Sequence, residues 1–158
     1  MNQARIAFIG LGNMAGAIIK GLRNSHAYAE AVLVGFDRNE DKRAYFEQEH
    51  HVRIVSDACE AARLCSVVVL AVKPHQMAAL LEEMKPCLQQ QLIITLAAGK
   101  PLAFYEEILG SGRAVLRAMP NINARVSASM TGLCPNQEVS DSQLGLAVDL
   151  FDALGSVA

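Results

Sequence analysis

The sequence has no excess of basic charge: its 14 Lys and Arg face 16 Asp and Glu, for a net charge of −2. Nucleic acid is therefore not an expected partner, because phosphate contacts need clustered Lys and Arg. No apolar run approaches the ~18 residues that cross a bilayer, so no membrane association is expected. The chain passes from Met1 into a short apolar segment without a charged leader or a small-residue cleavage site, and no secretory signal is expected. A cytoplasmic location is the expectation. Cys59, Cys65, Cys87 and Cys134 form no C-x-x-C pair and have no histidines at zinc-ligand spacing. No metal site is expected, and all four are expected to be ordinary reduced thiols, in the core or at the surface. There is no Ser-His-Asp arrangement and no carboxylate pair that would point to hydrolysis. No internal repeat, low-complexity tract or linker is present.

What the chain does have is apolar content in a regular alternation. Its 158 residues fit one domain, 52% of them hydrophobic and 19% charged, which suits a packed interior. Strand-like runs are read at Arg5–Ile9, Ala31–Phe36, His51–Val55, Val67–Val72, Leu92–Leu96, Arg113–Arg117 and Ser129–Cys134. Between them, helical spacing is read at Met14–Leu22, Glu40–Glu49, Asp57–Arg63, from Pro74 through Met84, and at Leu102–Leu109. Asp57 is read as a helix cap. Ser140 and Gln143 form a capping-box pattern before Leu144, Ala147, Val148 and Phe151, with Gly155 as the stop. Met119-Pro120-Asn121 is read as a loop. This order predicts an α/β fold: a doubly wound, Rossmann-type, mostly parallel sheet with helices on both faces.

The strongest local signal is Gly10-Leu11-Gly12-Asn13-Met14-Ala15, a G-x-G-x-x-A turn between a predicted strand and a predicted helix. Gly10 permits a tight turn, Gly12 lets a pyrophosphate approach the backbone, and Ala15 keeps helix and strand close. Free N–H groups of the helix N-terminus suit the phosphates. The next strand ends at Phe36-Asp37-Arg38-Asn39, about twenty positions on, where an acidic residue holds the adenosine ribose of NAD. Asp37 there favours NAD, whereas Arg38, with Lys42 and Arg43 behind it, favours the 2′-phosphate of NADP. These residues alone leave that choice open.

Three later strand ends carry Ala71-Val72-Lys73-Pro74, Ala97-Ala98-Gly99 and Arg117-Ala118-Met119-Pro120-Asn121. Together with Phe8-Ile9-Gly10-Leu11-Gly12-Asn13-Met14, in this order, they resemble pyrroline-5-carboxylate reductase over nearly the whole chain. The resemblance implies hydride transfer from NADP(H), ahead of NAD(H), to the C=N bond of 1-pyrroline-5-carboxylate, giving L-proline. It implies that Gly10, Leu11, Gly12, Asn13 and Met14 cradle the pyrophosphate, near Asp37, Arg38 and Asn39. Ala71, Val72, Lys73 and Pro74 then line the adenosine and ribose side, with Lys73 acting through its backbone. Ala97, Ala98 and Gly99 approach the nicotinamide, and Met119, Pro120 and Asn121 form the floor near the hydride. Close helix–strand packing is a competing reason for Ala97. No catalytic side chain is assigned. Arg117 reads as a strand-end charge paired with a carboxylate rather than a substrate ligand, and His75 as a polar first-turn residue.

The chain departs from the family pattern at Ala58, where an Asn is common, so that Ser56 or Asp57 would serve the ribose or the contact is absent. It departs also at Ile122-Asn123 and at Ser129. The family continues for roughly another hundred residues of helices, within ordinary domain size. That part makes the homo-oligomer and most of the substrate pocket, so the present chain is expected to supply the cofactor-binding domain. Another reductase of the β-hydroxyacid dehydrogenase type, or a non-catalytic dinucleotide-binding module, would share Gly10–Ala15.

Overall fold

The computed structural model describes residues 4–120, 129–153 and 155–157. The elements in chain order are β1 (Arg5–Ile9), α1 (Asn13–Asn24), β2 (Val32–Phe36), α2 (Glu40–His50), β3 (Arg53–Ile54), α3 (Ala58–Leu64) and β4 (Val67–Leu70). They continue with α4 (Met77–Met84), β5 (Leu92–Thr95), α5 (Leu102–Leu109), β6 (Ala114–Pro120), β7 (Ser129–Pro135), α6 (Asp141–Asp152) and β8 (Gly155–Val157). Among the described residues these strands form one eight-stranded sheet in the order β3-β2-β1-β4-β5-β6-β7-β8. The first six are parallel; β7 runs antiparallel to β6, and β8 is parallel to β7. The expected doubly wound, mostly parallel α/β sheet is the fold.

Side-chain alternation along the strands builds two cores. Ile6 and Phe8 of β1 point to one face, with Val67, Val69 and Ile94, and are covered by Ile18, Ile19 and Leu22 of α1 and by Leu150 and Phe151 of α6. Ala7 and Ile9 point to the other, with Val68, Leu70 and Ile93, under α3, α4 and α5. The continuous Val67–Leu70 run is buried throughout, as a strand covered on both faces requires. Helix ends follow local chemistry. The Asp57 side chain accepts the Glu60 N–H at 2.8 Å, and Ser140 with Gln143 closes a reciprocal capping box before α6.

Three expectations are corrected. Met119 and Pro120 lie in β6, not in a loop, because β7 pairs beside them (Met119↔Gly132, Pro120↔Thr131) and carries β6 beyond its parallel neighbour. Gly155 does not stop α6, which ends at Asp152; it opens β8 by pairing with β7. Cys59 and Cys87 are a disulfide rather than two thiols, since α3 packs beside α4 and the Lys85–Cys87 turn that follows it, which brings their Cα atoms to 5.7 Å. Cys65 and Cys134 are free thiols, and burial pushes that of Cys65 up to about 11.

His50 closes α2 with its ring against Phe46 and Tyr45 and its Nε2 buried without a hydrogen-bond partner. Burial, with Lys20, Arg23 and His51 adding positive charge, holds its pKa below the ordinary 6.5, against the opposing pull of Glu49. The unfolded chain therefore binds this proton more readily, and the stability it withholds is lost as pH falls through 6.5. Chemical denaturation between pH 7.5 and 5 is expected to show a decline that His50→Phe flattens. An unchanged slope in the variant would assign the decline to other groups.

Candidate functional site

The order of strands reverses between β1 and β4, and ligands of open α/β sheets bind beyond the strand C-termini at such a point. Gly10 sits there. Its N–H donates to the Phe36 carbonyl at 2.8 Å, and the Ala71 N–H donates to the Ile9 carbonyl at 2.8 Å. The ends of β1, β2 and β4 are thereby tied together. Gly10 has φ +96°, and a Cβ on it would lie 2.8 Å from the Ala71 carbonyl carbon and oxygen. Only glycine passes here without displacing main chain.

Gly12 differs. A Cβ on it would meet no atom within 4 Å. It is the N-cap of α1, makes no side-chain cap, and precedes a first turn free of acidic residues. The start of α1 therefore has no side-chain cap and no acidic residue in its first turn, and space is open beside Gly12 among the described residues. This is a cradle that fits a phosphate. The close helix packing expected of Ala15 is shared with Gly16: Ala15 is fully buried, and a Cβ on Gly16 would lie 3.2 Å from Phe46 Cζ.

Asp37 has a partner that the sequence did not suggest. One carboxylate oxygen accepts the Leu11 N–H at 2.8 Å and the other accepts the Asn39 N–H at 2.8 Å. The carboxylate braces the glycine turn from the end of β2. The Arg43 guanidinium donates to the Asp37 carbonyl at 3.0 Å, and the Asn39 side chain caps α2 by accepting the Lys42 N–H. Arg38 and Lys42 are exposed beside this turn.

On the other side of the crevice, Ala71 and Val72 are half-buried and Lys73 and Pro74 exposed. The Lys73 N–H points to the Gln76 side chain at 3.3 Å. Ser56 and Asp57 are both engaged at the start of α3: Ser56 donates to Glu60 through its N–H and hydroxyl, at 3.0 and 2.7 Å. Those bonds hold the Glu60 carboxyl below its usual range.

The third wall follows β5. The Leu96 N–H donates to the Leu70 carbonyl at 3.0 Å, Ala97 is buried, and Ala98 and Gly99 are exposed, with Gly99 at φ +77°. Beneath them Thr95 and Tyr105 pair their hydroxyls at 2.6 Å. Arg117 lies across the ladder from Thr95. Its Nε is buried without a hydrogen-bond partner, so the expected carboxylate is not on that nitrogen. Burial raises the Tyr105 pKa, against the opposing effects of Thr95 and of the Arg117 charge. Met119, 59% exposed, follows on β6. Asn121, Ile122 and Asn123 lie outside the described residues. A broad cleft of about 1230 Å³ opens at the opposite end of the sheet, beside Arg5, Arg63 and Gln90. Its size does not outweigh the switch-point chemistry, since strand N-termini offer no comparable row of glycine and helix N–H groups.

Residues 5–99 match the family described as NADP oxidoreductase, coenzyme F420-dependent. The chain is 40% identical over 156 residues to pyrroline-5-carboxylate reductase of Pseudomonas aeruginosa, covering 98% of this chain and 57% of that protein. The Methanosarcina acetivorans pyrroline-5-carboxylate reductase is 31% identical over 157 residues, 99% of this chain and 58% of that one. Among solved structures, a pyrroline-5-carboxylate reductase from Coxiella burnetii superposes with a TM-score of 0.91 at 37% identity, over 99% of this chain and 58% of that one. Plasmodium falciparum pyrroline carboxylate reductase with NADP bound gives 0.89 at 26% identity, over 100% of this chain and 58% of that one. The chain thus spans between half and two thirds of the length of these relatives. With the glycine turn at the switch point and this match over more than half its length, the chain belongs to the family of NADP oxidoreductases, coenzyme F420-dependent, and is similar throughout to pyrroline-5-carboxylate reductases.

Proposed function

We propose that this chain is the NADP(H)-binding part of a cytoplasmic pyrroline-5-carboxylate reductase, acting on the C=N bond of 1-pyrroline-5-carboxylate to give L-proline. The observation that carries the reading is the open cradle at Gly12, facing the uncapped start of α1 at the β1/β4 switch point. Gly12, Asn13 and Met14 offer main-chain N–H groups to the pyrophosphate, while Gly10 and Leu11, whose N–H groups are engaged by Phe36 and Asp37, shape the turn that cradles it. Ala71, Val72, Lys73 and Pro74 line the adenosine side. Ala97, Ala98 and Gly99 admit the flat nicotinamide, and Met119 and Pro120 stand at the floor. When bound, the reduced nicotinamide supplies the hydride for the imine carbon. The protein's task is to hold the two carbons close and aligned. The part of the relatives that this chain does not span is proposed to hold most of the substrate and to form the homo-oligomer.

Two observations support NADP(H) in the contest between Asp37 and Arg38. Asp37 has both oxygens on main-chain N–H groups, so its charge serves the turn first. Arg38 is exposed at the strand end, where a guanidinium suits a 2′-phosphate. Fluorescence titration is expected to give tighter binding of NADPH than of NADH. Arg38→Ala is expected to weaken NADPH roughly tenfold while leaving NADH nearly unchanged, the scale of one charge-assisted contact. Tighter binding of NADH by the unaltered chain would reverse the cofactor assignment. Consumption of NADPH that depends on added pyrroline-5-carboxylate tests the substrate.

A further inference from the structure

Among the described residues, Thr95 is the buried polar member of an otherwise apolar core, at 1% exposure, and Tyr105 beside it is fully buried. Burying two hydroxyls is unfavourable unless each is hydrogen-bonded, and valine and phenylalanine would fill the same space without that demand. Here the two oxygens lie 2.6 Å apart. Thr95 Oγ1 also accepts the Ala97 N–H, at 3.3 Å. The last residue of β5 is therefore joined to α5 on one side and to the β5–α5 turn on the other.

That turn has little else to fix it. Ala97, Ala98 and Gly99 carry no side chain beyond a methyl, and Ala98 and Gly99 are exposed. A Cβ on Gly99 would meet nothing within 4 Å among the described residues, so no side chain or backbone of theirs fills the space beside the tip there. Its fixed points are the Leu96 N–H on the Leu70 carbonyl, at 3.0 Å, and the Thr95 hydroxyl under Ala97. Past the tip, Lys100 Nζ rests 4.5 Å from the centre of the Phe104 ring.

We propose that the Thr95–Tyr105 hydroxyl pair positions the nicotinamide end of the cofactor cleft, holding the Ala97–Gly99 turn so that a planar ring can lie against its backbone. Both are positioning residues: neither reaches the reacting atoms. This rests on the placement of the nicotinamide proposed above, and its test separates the two. Wild type, Thr95→Val, Thr95→Ser and Tyr105→Phe are titrated with NADPH and with 2′-phospho-ADP-ribose, which shares everything except the nicotinamide. Thr95→Val and Tyr105→Phe are expected to weaken NADPH roughly tenfold, as loss of a buried hydrogen bond does, and to bind 2′-phospho-ADP-ribose within about twofold of wild type. Thr95→Ser restores the hydroxyl and NADPH affinity. Tyr105→Phe retains the ring's packing and carries the test alone if Thr95→Val does not fold. Equal weakening of both ligands, no weakening of either, or a wild type that binds NADPH no tighter than 2′-phospho-ADP-ribose overturns the positioning role. A wild type that binds neither ligand overturns the dinucleotide reading itself.

Discussion

Gly10→Ala is expected to lower the thermal midpoint by roughly 10 °C or more, or to leave the chain unfolded. Two costs coincide at this residue. Its φ of +96° is a region that side chains rarely enter, which costs about 1–3 kcal/mol. The added Cβ would then lie 2.8 Å from two main-chain atoms of Ala71 and 3.0 Å from the Val72 nitrogen. Those atoms cannot retreat freely. Ala71 donates to Ile9, and Gly10 itself donates to Phe36, both at 2.8 Å. Relief therefore breaks at least one of the bonds joining β1 to its neighbours, which adds about 1–3 kcal/mol. Together these reach roughly 2–6 kcal/mol, a large share of the ~5–15 kcal/mol that holds an ordinary domain. At this size each kcal/mol moves the midpoint by about 2–4 °C. Gly145→Ala is the matched control. It lies within α6 with no atom within 4 Å of a new Cβ, and alanine favours helix. Its midpoint is expected to hold or rise. A Gly10→Ala midpoint within about 3 °C of wild type would mean that the turn is not the rigid joint described.

The sequence made the joint visible but not what braces it. The elements recognised most sharply were those whose pattern is local: β1 and α5 match their expected bounds, and the caps at Asp57 and Ser140 act three residues away. The G-x-G-x-x-A pattern between a strand-like run and a helical one was enough to place the glycine turn. What escaped depends on residues distant in the chain. Asp37 reads as a ribose ligand because its partner, the Leu11 N–H, is 26 residues upstream. Cys59 and Cys87 are 28 residues apart and meet because α3 packs on α4. The end of β6 is invisible from its own residues because the strand β7 that prolongs it comes later and runs the other way. Thr95 and Tyr105 each look like ordinary members of apolar segments. Only burial and the 2.6 Å separation join them. Within the candidate site, the glycines were therefore legible by type and spacing, whereas the groups that hold them needed the fold.

Gly12→Val is expected to do the opposite of Gly10→Ala: leave the fold nearly intact and remove cofactor binding. Gly12 has ordinary extended backbone angles, φ −87° and ψ −162°, and a Cβ there meets no atom of the chain within 4 Å. The midpoint is expected to fall by no more than about 3 °C, since exchanging glycine for valine at an N-cap is a cost of the order of 1 kcal/mol. That space adjoins the start of α1, which no side chain caps and whose first turn holds no acidic residue. A branched side chain in that space keeps a pyrophosphate from reaching the N–H donors of α1. Losing the donors and the favourable helix end together should weaken NADPH at least roughly a hundredfold, about 2.7 kcal/mol. Gly12→Ala, with one methyl, should fall between wild type and valine. Calorimetric titration of both variants, beside thermal melts of the same samples, measures affinity and fold independently. NADPH binding within about threefold of wild type in Gly12→Val would place the pyrophosphate elsewhere, since a phosphate seated on the backbone of residue 12 and a valine side chain cannot share one volume.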